Sequence, residues 1–412
     1  MTLRGSGMLG AAIALFSVAY IAGWPELLIL ASFCAIPPLL ALLVVAVKRP
    51  RWAVKRSLSR SVVSVGSLGS ARVTVRSTAR RRSSSARWSD DLPWSPGRTE
   101  WQELPAVNAG TAVELHYDFS PPRRGVALLG PVVVERADPF GFARSEWALG
   151  ERQRVVVAPE LVDLALGLTD LATHTGAAQL FHHRALAGDH DIMTRDYRAG
   201  DAMGRVHWKA SAHHGQLMVR EDDKRSHAEA AIVVDTRRGS WRDVSRSQSF
   251  ERVESEGFEW ALSMTSSLRD FFVRSGLRVR TVETAVTQLA DAANVDDFVE
   301  SLARVRLSYH DGPAIRLAEP AKASVGSVFA VLNAPDEETI RALTEQRAGF
   351  GFAAAFMLGA RDAVRNDRLL RAGWVLHHVS EGESVLAAWH GLLAMGAVAD
   401  GAVAEITAAA DG

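Results

Sequence analysis

Cys34 is the only cysteine in 412 residues, so no intrachain disulfide can staple any part of the fold. This suits a reducing compartment, although a bacterial secreted chain poor in cysteine looks the same. Acidic residues are scarce in one region. From Lys48 to Glu100 the only ones are Asp90, Asp91 and Glu100, set among many Arg and Lys. Over the whole chain 47 basic residues offset 47 acidic ones, and that neutrality argues against a nucleic-acid-binding protein, whose basic surface would dominate the sum. Nothing resembles the G-x-S-x-G turn that presents a nucleophilic serine. No His-x₃-His pair or second cysteine supports a zinc site from His182, His183, His190, His207, His213 and His214.

The N-terminus is rich in what the rest lacks, namely long apolar runs. Residues 7–24 and 26–47 are apolar, separated by Pro25, and the second run carries no charge after Glu26. Its length is close to the ~20 residues a spanning helix needs. Pro37 and Pro38 would kink it, which membrane helices tolerate. A cleaved signal peptide is the competing reading, since Arg4 precedes a short apolar core. The second run follows at once, however, without a small-x-small cleavage site. Arg4 lies before the hairpin, and Lys48, Arg49, Arg51, Lys55 and Arg56 lie after it, while the turn holds only Glu26. The positive-inside rule therefore predicts a transmembrane hairpin over 1–49 with both ends, and the bulk of the chain, in the cytoplasm.

An apolar fraction of 48% and a charged fraction of 23% suit packed domains, and the length predicts two or three of them. Over 57–159 short β-branched runs (61–65, 71–77, 112–119, 131–136 and 154–159) alternate with turn-rich stretches and predict a small antiparallel sandwich. Residues 80–88, RRRSSSARW, read as a polar loop. Contact with anionic lipid across residues 48–87 is one reading of the basic excess, worth ~1 kcal/mol per basic residue near the surface. A solvated loop fits the composition equally. Residues 160–228 form a connecting region. Beyond it, strands at 229–235, 278–284, 327–333, 352–358 and 374–380 alternate with helices at 250–276 and 295–305 and later in the chain. Continuous apolar strands between helices predict a doubly wound α/β domain over 229–405.

Residues 195–221, RDYRAGDAMGRVHWKASAHHGQLMVRE, crowd Arg, Asp, His, Lys, Ser and Trp together. Gly200 and Asp201 read as a turn and an N-cap, and Gly215 as a stop, so the spacing predicts a helix over 202–214 and a strand over 216–221. Arg205 and Lys209 share a face of that helix, close to Trp208, and His207 shares one with Ser211. His207 and Ser211, oriented by Asp196 or Asp201, are the residues of a hydrolase reading, but a nucleophilic serine belongs on a strained turn and not mid-helix. Two readings stay open. Tyr197, Trp208 and Met218 can join the β module to the α/β domain, with ADPFGF (137–142) as the other half of the joint. Alternatively the stretch docks a protein, because Arg and Trp dominate interface energetics.

The apolar hairpin, the ADPFGF stretch, the 195–221 stretch and an α/β domain opening on AIVVD occur in one order. Together they resemble, over essentially the whole chain, the bacterial family called "domain of unknown function 58". Its two motifs map here onto Asp138, Pro139, Phe140 and Gly141, and onto Arg195, Tyr197, Gly200, Asp201, Arg205, His207, Trp208, Lys209, Ser211, Arg220 and Glu221. High Ala, Arg and Trp also suggest an actinobacterial source. The resemblance implies a C-terminal domain like the von Willebrand factor A fold. It implies partnership with MoxR-type AAA+ ATPases and with membrane transglutaminase-like proteins, and it supplies no reaction. In the von Willebrand A fold a first strand ending Asp-x-Ser-x-Ser binds Mg²⁺ through oxygen ligands. Here Asp235 is followed by Thr236, Arg237, Arg238 and Gly239, so Arg237 and Gly239 stand where the hydroxyls belong. Asp235 is the remaining metal candidate, and an Arg at a ligand position opposes a cation.

The expectation is a membrane-anchored cytosolic adaptor, without catalytic activity or cofactor, that docks a MoxR-type AAA+ ATPase. The alternatives are a hydrolase using His207 and Ser211 and a metal-dependent binding module centred on Asp235. The topology makes the first prediction. A reporter fused after Gly412 will be active in its cytosolic form, whereas an active periplasmic phosphatase fusion would restore the secreted reading.

Overall fold

The computed structural model of the chain describes residues 1–47, 50–94, 97–165, 193–197, 203, 206, 208–221, 229–243, 245–246, 253–289, 295–310, 312, 314–317 and 326–395. Within 193–221, burial is defined for 197, 203, 206, 208, 211–213 and 215–219. The chain divides into two compact units, Met1–Ala158 and Pro159–Gly412.

The first unit opens with two apolar helices, α1 (Leu3–Ala22) and α2 (Glu26–Val47), both long and apolar enough to cross a membrane. Thr2 caps α1 by accepting from Gly5 N, and Gly23 ends it in the left-handed conformation. Helix α2 runs on through Pro37 and Pro38.

Ten strands follow: β1 (Trp52–Leu58), β2 (Val62–Ser64), β3 (Gly69–Ser77), β4 (Ala86–Asp90), β5 (Gln102–Leu104), β6 (Ala112–Phe119), β7 (Gly125–Leu129), β8 (Val132–Ala137), β9 (Arg144–Leu149) and β10 (Gln153–Ala158). They form three small sheets, in the orders β1-β3-β6, β2-β10-β7 and β5-β4-β8-β9. All pairs are antiparallel except β2 with β10. The five strands expected from β-branched runs are present. The five that were not expected have short or charged sequences, such as RSEWAL, whose alternation exposes one face and half-buries the other. Residues 86–88 of the expected polar loop belong to β4, where Trp88 is buried in the core. Arg80, Arg81 and Arg82 remain exposed. Val73, Leu115, Leu129, Val134 and Val155 from the three sheets share that core.

A buried ion pair crosses it. Asp90 is fully buried and accepts from Arg56 Nε at 2.8 Å and Nη2 at 2.5 Å, and from the Tyr117 hydroxyl at 2.6 Å. Arg56 also donates to the carbonyls of Leu129 and Glu151. Burial, followed by the Asp90 charge, pushes the Tyr117 hydroxyl far above its ordinary value, so it remains a neutral donor.

The second unit contains the strand β11 (Met193–Asp196), the helix α3 (Trp208–His214) and the strand β12 (Met218–Glu221). Next come β13 (Glu229–Val234), a two-residue ribbon of β14 (Ser245–Arg246) and β15 (Val253–Glu254), α4 (Glu256–Arg274), β16 (Arg278–Glu283) and α5 (Val295–Arg304). The chain continues with β17 (Ser327–Asn333), α6 (Glu337–Glu345), β18 (Phe352–Leu358), α7 (Ala363–Arg371), β19 (Val375–His378) and α8 (Val385–Met395). A five-stranded sheet, wholly parallel, has the order β16-β13-β17-β18-β19. Alternate residues of its strands serve two cores. Ile232, Val234 and Phe329 pack with Leu262, Phe272 and Trp389, while Val233, Val328 and Ala355 pack with Ile340, Leu343 and Leu369. Helices therefore cover both faces, as the continuous apolar strands predicted. The amphipathic face read on 250–276 is buried at Phe258, Ala261, Leu262, Thr265, Leu268 and Phe272. The helix starts later than expected, because Ser255 accepts from Phe258 N and fixes its first turn.

Replacing Arg56 with Leu leaves Asp90 buried and unpaired. The full chain in detergent should lose roughly 3–5 kcal/mol of stability, with much of it restored in the Arg56→Leu/Asp90→Leu double variant. Thermal melting of the three proteins checks this.

Candidate functional site

ADPFGF forms the connection between β8 and β9. Asp138 is buried, and its carboxylate accepts from Phe140 N at 2.8 Å and Ala143 N at 2.6 Å. Gly141 N donates to Asp138 O at 3.1 Å. Asp in first place, Pro139 in second and Gly141 at φ +71° in fourth are what this tight turn requires, since Pro pre-sets φ and glycine accepts the left-handed region. The turn presents Phe140 outward, 71% exposed, with its ring stacked 5.9 Å from that of Phe142.

The turn is attached to the helical hairpin within its own unit. Thr2 N donates to Phe142 O at 3.0 Å, and the Thr2 hydroxyl donates to Gly141 O at 2.5 Å. Gly5 faces Phe142, where a Cβ would lie 2.2 Å from the carbonyl oxygen. Ala41 and Val45, near the end of α2, pack with Ala143, Phe142 and Trp147. A joint with the α/β domain is one reading of this motif from sequence; its hydrogen bonds to α1 have no counterpart there. The only signals for them were Thr2 as a cap and Gly5 in the first turn of α1.

In the 195–221 stretch, Gly200, Asp201, Arg205 and His207 lie outside the described residues. The helix begins at Trp208 and not at 202, because Val206 bridges Val219. Gly215 ends it at φ +70°, as expected. The expected strand is β12, and Arg195 lies on β11, a partner not foreseen, opposite Val219. Arg220 and Glu221 are on β12 and Lys209 on α3. Tyr197 is half-buried and its N donates to Leu217 O at 2.8 Å. Ser211 Oγ accepts from Met218 N at 2.8 Å, tying α3 to β12. That bond gives the serine a structural task, and it sits on a regular helix. Trp208 is 63% exposed, whereas Val206, Met218 and Val219 are buried. Of the candidate zinc residues, His182, His183, His190 and His207 lie outside the described residues, and His213 is exposed. Among the described residues, no three His, Cys, Asp or Glu side chains come together as a metal site.

The parallel sheet has its own candidate site. After β13 the chain runs to β16 on one side and then returns to β17 on the other, and ligands of open α/β sheets bind beyond the C-terminal strand ends at such a reversal. Asp235, fully buried, stands there. The Thr284 hydroxyl donates to its Oδ1 at 2.7 Å, and Arg237 Nε and Nη2 donate to its two oxygens at 3.2 and 3.3 Å. Arg237 Nη1 pairs with Asp336, the N-cap of α6. One guanidinium thus lies on two carboxylates. Burial would lower the Arg237 pKa, but Asp235 and Asp336 raise it above its ordinary value. For Asp336, burial raises the carboxyl, yet the hydrogen bonds from Thr339 and the Arg237 charge outweigh that and hold it below the usual carboxylate value. Arg237 at a ligand position opposes a metal, and its second partner Asp336 lies about a hundred residues away, beyond the reach of local spacing.

No protein-family model and no curated protein matches the chain. Solved structures give partial likenesses. The CARDB domain of the PF1109 protein from Pyrococcus furiosus matches at 16% identity and TM-score 0.20, over 26% of this chain and 88% of that one. The alkylpurine DNA glycosylase AlkC of Pseudomonas fluorescens matches at 14% and 0.19, over 34% and 43%. A β-glucosidase from Erythrobacter marinus matches at 10% and 0.18, over 26% and 15%. Likenesses at these scores carry no argument about fold or activity.

Arg237→Gln leaves Asp235 buried without its cation and should cost roughly 3–5 kcal/mol, read by thermal melting. The Asp336 contribution has a defined sign. A carboxyl depressed in the fold contributes stability in full above its unfolded value of about 4, and loses it as pH falls through the folded one. The gap between wild type and variant should therefore narrow below about pH 4.

Proposed function

We propose that the protein is a membrane-anchored cytosolic adaptor of the "domain of unknown function 58" type, which docks a MoxR-type AAA+ ATPase through the 195–221 stretch. A membrane transglutaminase-like protein is a second partner in this reading. The two apolar helices support a multi-pass anchor, and the Arg and Lys flanking them support a cytoplasmic location for the bulk of the chain. The parallel order β16-β13-β17-β18-β19 supports a von Willebrand A-like domain, in which the Arg237 guanidinium supplies the positive charge between Asp235 and Asp336.

The observation that carries the docking reading is the exposure of Trp208. A tryptophan serving only to join packed parts is buried, whereas this one is 63% exposed on a short helix held firmly by Ser211 and Gly215. An exposed Trp flanked by Lys209 is the kind of anchor that dominates protein interfaces.

If 195–221 is a docking surface, Arg205→Glu/Lys209→Glu should abolish co-purification of the ATPase from native membranes while leaving thermal stability nearly unchanged, because charges that face solvent contribute little to folding. Trp208→Ala should destabilise the protein by less than ~1 kcal/mol and also lose the partner, whereas a loss of ~3–5 kcal/mol would identify a core residue. A charge-reversed protein that is unstable in isolation would end the docking reading.

A further inference from the structure

The turn Asp138–Phe142 is an exposed aromatic loop fastened to the two hairpin ends that share one membrane face. Helix α2, with 22 residues, is about 33 Å long at 1.5 Å per residue, which matches the ~30 Å hydrocarbon core. The loop meets α1 at Thr2 and Gly5, and it meets α2 at Ala41 and Val45, up to about 9 Å short of the helix end. At that level a spanning hairpin passes from headgroups to acyl chains. Phe142 and Trp147 pack against α2 at that level and Phe140 stacks on Phe142, and aromatic side chains are favoured in that zone. Arg4, whose guanidinium lies close to Gly141, can hold its charge among the headgroups while its stem follows the apolar surface.

We infer that the Asp138–Phe142 turn is a membrane wedge, inserting Phe140 into the interfacial zone of the bilayer beside the hairpin and so fixing the β module against the membrane face. The occupant of this surface is phospholipid. A bilayer that places acyl chains against the exposed Leu43 and Val44 of α2 extends to a ring anchored on the same helices, so the covering material is continuous with that around α2. The buried Asp138 serves this role by holding the turn without a mobile main chain, so the aromatic ring meets lipid with little entropy left to lose. This inference rests on the reading that α1 and α2 span the membrane.

The test uses the full chain in phospholipid nanodiscs, with Cys34→Ala removing the sole native thiol. Single cysteines replace Phe140, Leu43 and Leu68, each exposed, and carry a nitroxide. Collision with oxygen is compared with collision with a water-soluble nickel chelate. Leu43 reports the lipid-facing side of α2. Leu68 lies beyond the far end of β1, about 20 Å along that strand from the hairpin, and reports water. The ratio of oxygen to nickel collisions at 140 should approach that at 43 and exceed that at 68 several-fold. Water-like values at 140 with lipid-like values at 43 would overturn the wedge alone. A label at 140 shielded from both reagents would show a protein contact and also overturn it. Water-like values at 43 would remove the spanning hairpin, and the wedge with it.

Discussion

A carboxylate taken out of water must meet a cation or a set of N–H donors, and both units of this chain are arranged round aspartates that meet this demand. Asp90 draws Arg56 and Tyr117 into the core shared by the three small sheets. Asp138 gathers two backbone amides and shapes the turn that touches the hairpin. Asp235 stands at the reversal point of the parallel sheet and takes Arg237 and Thr284. In each case the partner comes from another strand or from a loop, so pairing the charge also sets how the elements are joined.

The turn at Asp138 ties the β strands to the two apolar helices most directly. Its hydrogen bonds use the backbone oxygens of Gly141 and Phe142, which accept from Thr2, so the start of α1 and the tip of a β hairpin stabilise each other. The close approach is possible because residue 5 is a glycine. The Phe140 ring is left outside, stacked on Phe142, which packs against α2.

At the parallel sheet, the Arg237 guanidinium occupies the space between Asp235 and Asp336, with N–H donors directed at both. This gives the sheet end a structural ion-pair network tying the β13 end to the start of α6. The exposed chemistry lies elsewhere, at Trp208 on α3, where Ser211 is engaged with the Met218 amide.

Much of the architecture was legible in local pattern. The uncharged runs within α1 and α2 and the strands 327–333 and 352–358 follow from unbroken apolar stretches, and the buried face of α4 from helical periodicity. The Asp138 turn was equally legible, since Asp, Pro and Gly each satisfy a backbone requirement at a fixed position. Strands such as β4 and β9 were hidden, because charged residues interrupt their apolar pattern: Arg87 and Glu146 face outward, while Asp90 is buried against Arg56, a pairing that no local pattern reveals. The start of α3 was misread because the Val206 bridge to Val219 overrides local helix propensity. What the sequence by itself determined was the two apolar helices, a β-rich stretch followed by strand–helix alternation, and the presence of Arg237 where a metal ligand would stand. Only the tertiary structure decided that Arg237 also reaches Asp336 and that Phe142 meets Thr2, because contacts across a hundred residues depend on where strands and helices end in space, which no local spacing encodes.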